Sequence, residues 1–208
     1  MKVNLINITP NAEEHIAEVA RVSSSRKDKK KNYVGLIKYL MKHKHWSPFE
    51  HAYVTFEIET SKAIGIQLLR HRSFTFQEFS QRYQDVNLLG DMFEPIELRK
   101  QCEDNRQSST EVLDSDDWSS SMEDVAAVMK HCHFIYNKLI GRGVAREQAR
   151  MILPMCTKTK IHMTGSIRSW IHFIELRDDE HAQKEIQLVA KEVRSYLSKE
   201  LPNIFGNE

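Results

Sequence analysis

The densest set of chemically capable side chains begins at Gln67, passes through Arg70-His71-Arg72 and, after seven further residues, reaches Ser80, Arg82 and Tyr83. Three contiguous cationic or titratable side chains repel one another unless something anionic lies between them. In an extended segment Ser80 and Arg82 share one face. A hydroxyl beside a guanidinium then makes a phosphate clamp, one donor directional and the other a fork. A bare Arg-His-Arg amounts to a basic surface turn; its companions raise it to a candidate anion site. Ser80 lacks the adjacent base that a serine nucleophile needs, so it reads as a phosphate ligand. Glu50 and Glu78 have the chemistry of an acid/base pair, but sequence does not fix their separation.

A second set lies further on. Arg168 and His172 stand one helical turn apart just inside an expected helix N-terminus, where backbone N–H groups and the dipole favour a phosphate. A structural histidine is the plain alternative for His172. Arg146 and Arg150 are also one turn apart, and one of them is expected to pair with Glu147 or solvent. Arg177 ends the helix whose buried stripe is Ile167, Trp170 and Ile174, so its head should emerge at the edge of the core. There it either offsets the helix dipole or favours negative charge developing on a bound ring.

These side chains need elements to carry them. Residues 11–22 read as a helix with acids in its first turn. Residues 23–31 read as a solvated charged loop. Residues 33–43 are helical, with Val34, Ile37, Leu40 and Met41 on one stripe. Pro48 is expected to push Ser47 out of helical geometry. Residues 52–58 alternate strictly, which predicts a half-buried strand with Ala52, Val54, Phe56 and Ile58 inward. Ser61 caps a helix that runs through Leu69 and delivers Arg70 to Arg72. Residues 84–118 are poorly periodic, and 101–124 read as a surface insertion. A long helix follows with Val125, Val128, Cys132, Ile135 and Leu139 inward, ended by Gly141 or Gly143. A helix over 144–153, a strand over 157–164 and helices over 166–177 and 180–201 complete the chain. The result is α+β: one domain over 1–208 with a small, mainly antiparallel sheet packed with helices, and no βαβ rhythm or Gly-x-Gly-x-x-Gly fingerprint.

Composition narrows the function. The chain has 208 residues, 40% hydrophobic and 28% charged, enough for one well-buried core. Lys+Arg 30 against Asp+Glu 29 provides no global field for a polyanion, so no nucleic-acid partner is expected. No apolar run has signal-peptide or membrane-spanning length, so neither export nor a membrane is expected. The three cysteines are widely spaced without a CxxC, which fits a reducing compartment. Cys132, at helical spacing from Val128 and Ile135, should be a buried packing residue.

Arg70-His71-Arg72-x7-Ser80 has the signature spacing of the flavin-dependent thymidylate synthases, and its surroundings resemble that family in order. Upstream stand Leu40-Met41-Lys42-His43 and Ser47-Pro48-Phe49-Glu50-His51, and then Gln77-Glu78-Phe79-Ser80-Gln81-Arg82-Tyr83. Downstream stand Val144-Ala145-Arg146-Glu147-Gln148-Ala149-Arg150, Leu153-Pro154, Leu176-Arg177 and Glu180-His181-Ala182-Gln183. The resemblance covers roughly residues 33–83 and 141–190; residues 101–124 match nothing in it. Some relatives carry Asn where this chain has Ser166 and His172.

The resemblance implies conversion of dUMP to dTMP, with methylenetetrahydrofolate supplying the carbon and NADPH reducing a bound FAD. It implies flavin contacts from Ser47, Arg70, His71, Arg72, Ser73, Glu78, Ser166, Ile167, Arg168 and His172. It implies dUMP contacts from Gln67, Leu68, Leu69, Arg70, Glu78, Phe79, Ser80, Gln81, Arg82, Arg150 and Arg177, with Arg177 catalytic. His45 and Tyr83 fall on the folate or nicotinamide side. A homotetramer with shared sites, in the cytoplasm (the host's, for a viral gene), completes the expectation.

Two rival classes make different demands. A metal-dependent phosphohydrolase is suggested by ten histidines, but His131 and His133 project about 200° apart on a helix, and no HExxH is present. An RNA-binding module would use Arg70, Arg72, Phe74 and Phe76, against which the near-zero net charge weighs. No metal site is expected.

Overall fold

Strict alternation over residues 52–58 is realised in strand β2 (Tyr53–Ser61), where Ala52, Val54, Phe56 and Ile58 are fully buried. The computed structural model describes residues 1–23, 33–113 and 115–206. Most of the charged run at 23–31 lies outside the described residues. Strand β2 belongs to a four-stranded sheet in the order β1-β2-β6-β3, with β1 spanning Lys2–Ile8, β3 Phe74–Glu78 and β6 Lys158–Ser166. Thr55 faces Thr164, Glu57 faces His162 and Glu59 faces Lys160. That constant register is antiparallel. Strands β1 and β3 have no counterpart in the sequence reading: Lys2–Ile8 lacks a strict alternation, and Phe74–Glu78 follows directly on the basic cluster.

Among the described residues there are eight α-helices: α1 (Ala12–Arg21), α2 (Tyr33–Lys42), α3 (Lys62–Leu69), α4 (Ser115–Gly141), α5 (Arg146–Ala149), α6 (Ile167–Arg177), α7 (Lys184–Glu200) and α8 (Pro202–Phe205). The mixed helix-and-sheet class is as expected. The chain separates into two compact units: Met1 with Glu59–Leu69 and Glu78–Ile161, and Lys2–Ile58 with Arg70–Gln77 and His162–Glu208.

The second unit has an aromatic centre. Trp170 meets Phe74 at 4.7 Å, Phe56 at 5.1 Å and Phe173 at 5.6 Å between ring centroids. Its indole N–H donates to the Val54 carbonyl at 3.1 Å, so the one polar atom of this buried ring is satisfied. Helices α6 and α7 pack together, with Ile186, Val189, Ala190, Val193 and Leu197 buried along α7. A Cβ added at Gly165 would stand 2.4 Å from the Phe74 ring, so the absence of a side chain there is what lets the ring in.

In the first unit, Val86, Met92, Tyr136 and Ala149 form the buried cluster, flanked by Phe93, Leu139, Ile140, Val144 and Leu153. The covered face of α4 differs from the stripe expected from its spacing. Tyr136 is buried, whereas Val128 is 58% exposed and Cys132 and Ile135 are half-buried. The helix has turned so that Tyr136 Oη accepts the Val86 N–H. It also starts at Ser115, inside the stretch read as an insertion, which otherwise forms the exposed hairpin of β4 (Arg99–Gln101) and β5 (Ser109–Val112). Helix α4 ends in a Schellman motif. Gly143, at φ 78°, donates to Ile140 O, and Val144 donates to Leu139 O.

Three boundaries differ for local reasons. Ser47 is the first residue of a 3-10 turn, Ser47–His51, because Pro48 falls at its start, where no N–H is missed. The helix expected over 144–153 shrinks to α5 and a 3-10 turn, because Pro154 holds Leu153 extended at ψ 131°. Helix α7 starts at Lys184, after Asp179 has turned the chain by accepting the His181 N–H.

Candidate active site

In the second unit, Ser166 caps α6 by accepting the Ser169 N–H, and the Ser169 hydroxyl donates to the Ser73 carbonyl at 3.2 Å. This knot ties the loop carrying Arg70–Ser73 to the start of α6. Beside it opens a cavity of about 570 Å³. Its wall is formed by Ser73, Ser166, Ser169, Arg168, His172, Trp46 and Tyr53. Glu50 and Glu175 add two carboxylates, and Ile171 an apolar patch. Glu50 pairs with Arg168.

Four of the residues expected to touch flavin therefore line one cavity: Ser73, Ser166, Arg168 and His172. Ile167 does not; its side chain is fully buried in the core. Ser47, Arg70 and Arg72 are exposed and outside the lining. Trp46, Tyr53, Ser169 and Glu175 escaped the sequence reading. For Glu175 a signal existed, since Arg168, His172 and Glu175 follow i, i+4, i+7 along one face of α6. No local signal marked Tyr53, which is merely an outward residue of a strand.

His71 is enclosed rather than exposed. Its ring meets the Phe173 ring at 5.0 Å and the Phe74 ring at 6.2 Å, both edge-on. Its Nε2 accepts the Arg177 Nε–H at 3.0 Å. Burial, then the charges of Arg177 and His172, hold the imidazole down at about 4. It is therefore neutral near pH 7, with its proton on Nδ1. Burial also lowers the pKa of Arg177, whose head lies half-buried at the end of α6, as the apolar stripe of that helix implied.

In the first unit, one oxygen of Glu78 accepts both Lys62 Nζ at 2.6 Å and the Thr159 hydroxyl at 2.8 Å. Glu50 and Glu78 are thus each engaged by a cation. Leu68 is fully buried, Leu69 is 37% exposed, and Gln67 and Phe79 are half-buried. The extended geometry expected for Ser80 to Arg82 is not found. The Ser80 carbonyl accepts from the N–H groups of Tyr83 and Gln84, so the chain turns there. The turn buries Gln81, whose amide Nε2 has no hydrogen-bond partner among the described residues. Such a donor is costly unless something accepts from it. Arg82 and Tyr83 are exposed; Arg82 lies 3.8 Å from Glu147, a neighbour that the sequence did not indicate. Arg150 is half-buried in the 3-10 turn after α5. His45 stands in an exposed group with Tyr39 and His43 in the second unit. Among the described residues no three His, Cys, Asp or Glu side chains cluster as metal ligands. No described helix is long and apolar enough to cross a membrane.

The family model of the thymidylate synthase complementing protein matches residues 4–203, nearly the whole chain. A probable flavin-dependent thymidylate synthase of Paramecium bursaria Chlorella virus 1 is 42% identical over 215 residues, covering 98% of this chain and 97% of the relative. The flavin-dependent thymidylate synthase of Synechocystis sp. is 40% identical over 189 residues, covering 91% and 86%. The crystal structure of a UMP/dUMP methylase, PolB, from Streptomyces cacaoi bound with 5-Br dUMP superposes with a TM-score of 0.83 at 30% identity, covering 98% of this chain and 92% of that one. The chain belongs to the flavin-dependent thymidylate synthase family.

Proposed function

We propose that this protein converts dUMP to dTMP, taking the carbon from methylenetetrahydrofolate and the reducing equivalents from NADPH through a bound FAD. The observation that carries this reading is the cavity at the start of α6, which gathers Ser73, Ser166, Arg168 and His172, four of the residues that the family resemblance assigns to the flavin. Ser73, Arg168 and His172 give it polar and cationic groups for the phosphates of an anionic dinucleotide, and Trp46 and Tyr53 give it aromatic side chains for the rings. Ser73, Ser166, Arg168 and His172 hold the cofactor, whose role once bound is to relay hydride between NADPH and the pyrimidine.

The nucleotide is held by Gln67, Ser80, Gln81, Arg82 and Arg150. The unpartnered Gln81 amide supplies a donor that a phosphate or base oxygen satisfies. Arg177 is the catalytic group, its guanidinium favouring negative charge on the uracil edge as the ring reacts. Charge on the ring develops mainly in the transition state, so this interaction acts on turnover.

The assembly is a homotetramer in the cytoplasm. Val128 at 58%, Phe134 at 60% and Met151 at 74% exposure leave apolar surface on the first unit that subunit contact would cover.

The test is direct. Purified protein should be yellow, release FAD on denaturation, and form dTMP only when dUMP, NADPH and methylenetetrahydrofolate are all present. Protein that stays colourless after incubation with excess FAD would sink the proposal. Because the solved relative is named for both nucleotides, UMP belongs in the same assay as a competing substrate.

A further inference from the structure

Arg177 ends α6, a position where a long side chain normally swings in solvent. A guanidinium that must meet one edge of a ring within a fraction of an ångström needs a support, and a misplacement of about 1 Å costs about 10²-fold in rate. The support visible here is His71, 106 positions away in sequence. It comes from the loop after α3, which the serine knot at Ser73 and Ser169 anchors.

We propose that His71 is a positioning residue for Arg177. Its imidazole Nε2 accepts the Arg177 Nε–H at 3.0 Å and fixes the direction of the guanidinium. The bond engages Nε alone, so the two Nη groups keep their donors for a substrate. This role rests on the catalytic role proposed above for Arg177. It differs from the flavin contact that the motif implies for His71, because it works through another side chain.

Three features of the site fit the role. The ring cannot swing away, because the edges of Phe74 and Phe173 enclose it, and Phe173 precedes Arg177 by one turn of α6. Only the neutral imidazole can accept from a guanidinium, and burial keeps this one neutral near pH 7. An acidic partner in its place would bind the guanidinium more tightly and neutralise the charge the reaction needs; a neutral acceptor orients Arg177 and leaves that charge in place.

A double-mutant cycle on the flavin-loaded enzyme provides the test. His71→Phe keeps a ring in the pocket and removes the acceptor; His71→Gln restores an acceptor without a titrating group. FAD occupancy from the absorption spectrum and dUMP affinity from equilibrium binding are measured for each, alongside kcat and KM. The expected result is a kcat about 10²-fold lower in His71→Phe with FAD retained, and substantial recovery in His71→Gln. In the Arg177→Ala background, His71→Phe should cost nothing further, since the group it orients is gone. Full turnover in His71→Phe overturns the proposal, as does a loss that multiplies with that of Arg177→Ala. A loss confined to FAD occupancy in both His71 variants also overturns it and assigns His71 to the flavin. If Arg177→Ala itself turns over normally, the role given to Arg177 falls, and the positioning role with it. Should His71→Phe fold poorly, His71→Asn, too short to reach Arg177, replaces it in the same cycle.

Discussion

Below neutral pH, His71 should make this protein less stable by a calculable amount. The imidazole is held at about 4, against an ordinary 6.5, by burial first and by the charges of Arg177 and His172 after it. Between those two values the unfolded chain takes up a proton at residue 71 that the folded chain refuses. Stability therefore falls as pH drops through that window and is unaffected by this group above it. The full window is worth about 3 kcal/mol, and about 2 kcal/mol of that falls between pH 7 and pH 5. The assay is urea unfolding at fixed protein concentration and saturating FAD, at both pH values, for wild type and His71→Phe. Other titrating groups are common to both proteins and cancel in the comparison. Wild type should lose about 2 kcal/mol more than the variant on acidification. Parallel losses would refute the argument that burial holds this ring neutral.

Two further outcomes follow from the packing and from the thiols. Gly165→Ala drives a Cβ to 2.4 Å from the Phe74 ring, so it should cost about 1–3 kcal/mol and lower the unfolding midpoint by several degrees. Phe74→Leu in the same chain should recover part of that loss, and an unchanged midpoint in Gly165→Ala would show that the contact yields freely. The triple change Cys102→Ser, Cys132→Ala and Cys156→Ser should keep NADPH-dependent dTMP formation. Burial raises the pKa of the Cys156 thiol, the opposite of what a nucleophilic thiolate requires. A folded, flavin-loaded triple mutant without activity would show that a thiol takes part.

What the sequence by itself determined was local periodicity and motif order. Alternation over 52–58 and the stripe of Ile167, Trp170 and Ile174 named residues that are now buried, because strands repeat every 2 residues and helices every 3.6. The helix start at Ser166 and a stop at Gly141 or Gly143 were legible too, since a cap answers to backbone groups within a few residues. The ordered motifs pointed to the family for the same reason, being read along the chain rather than through space. Tertiary structure decided the rest. Periodicity says which residues of α4 share a face but not which face is covered, so Val128, expected inward, is exposed, and Tyr136, outside the expected stripe, is buried. Lys2–Ile8 is a strand because β2 offers it a partner 50 residues on, and its own side chains carry no strict alternation. Tyr53 meets the candidate cavity, and His71 meets Arg177, through contacts that close loops of about a hundred residues. Such closures depend on the summed packing of everything between their ends, and no short window of sequence contains that sum.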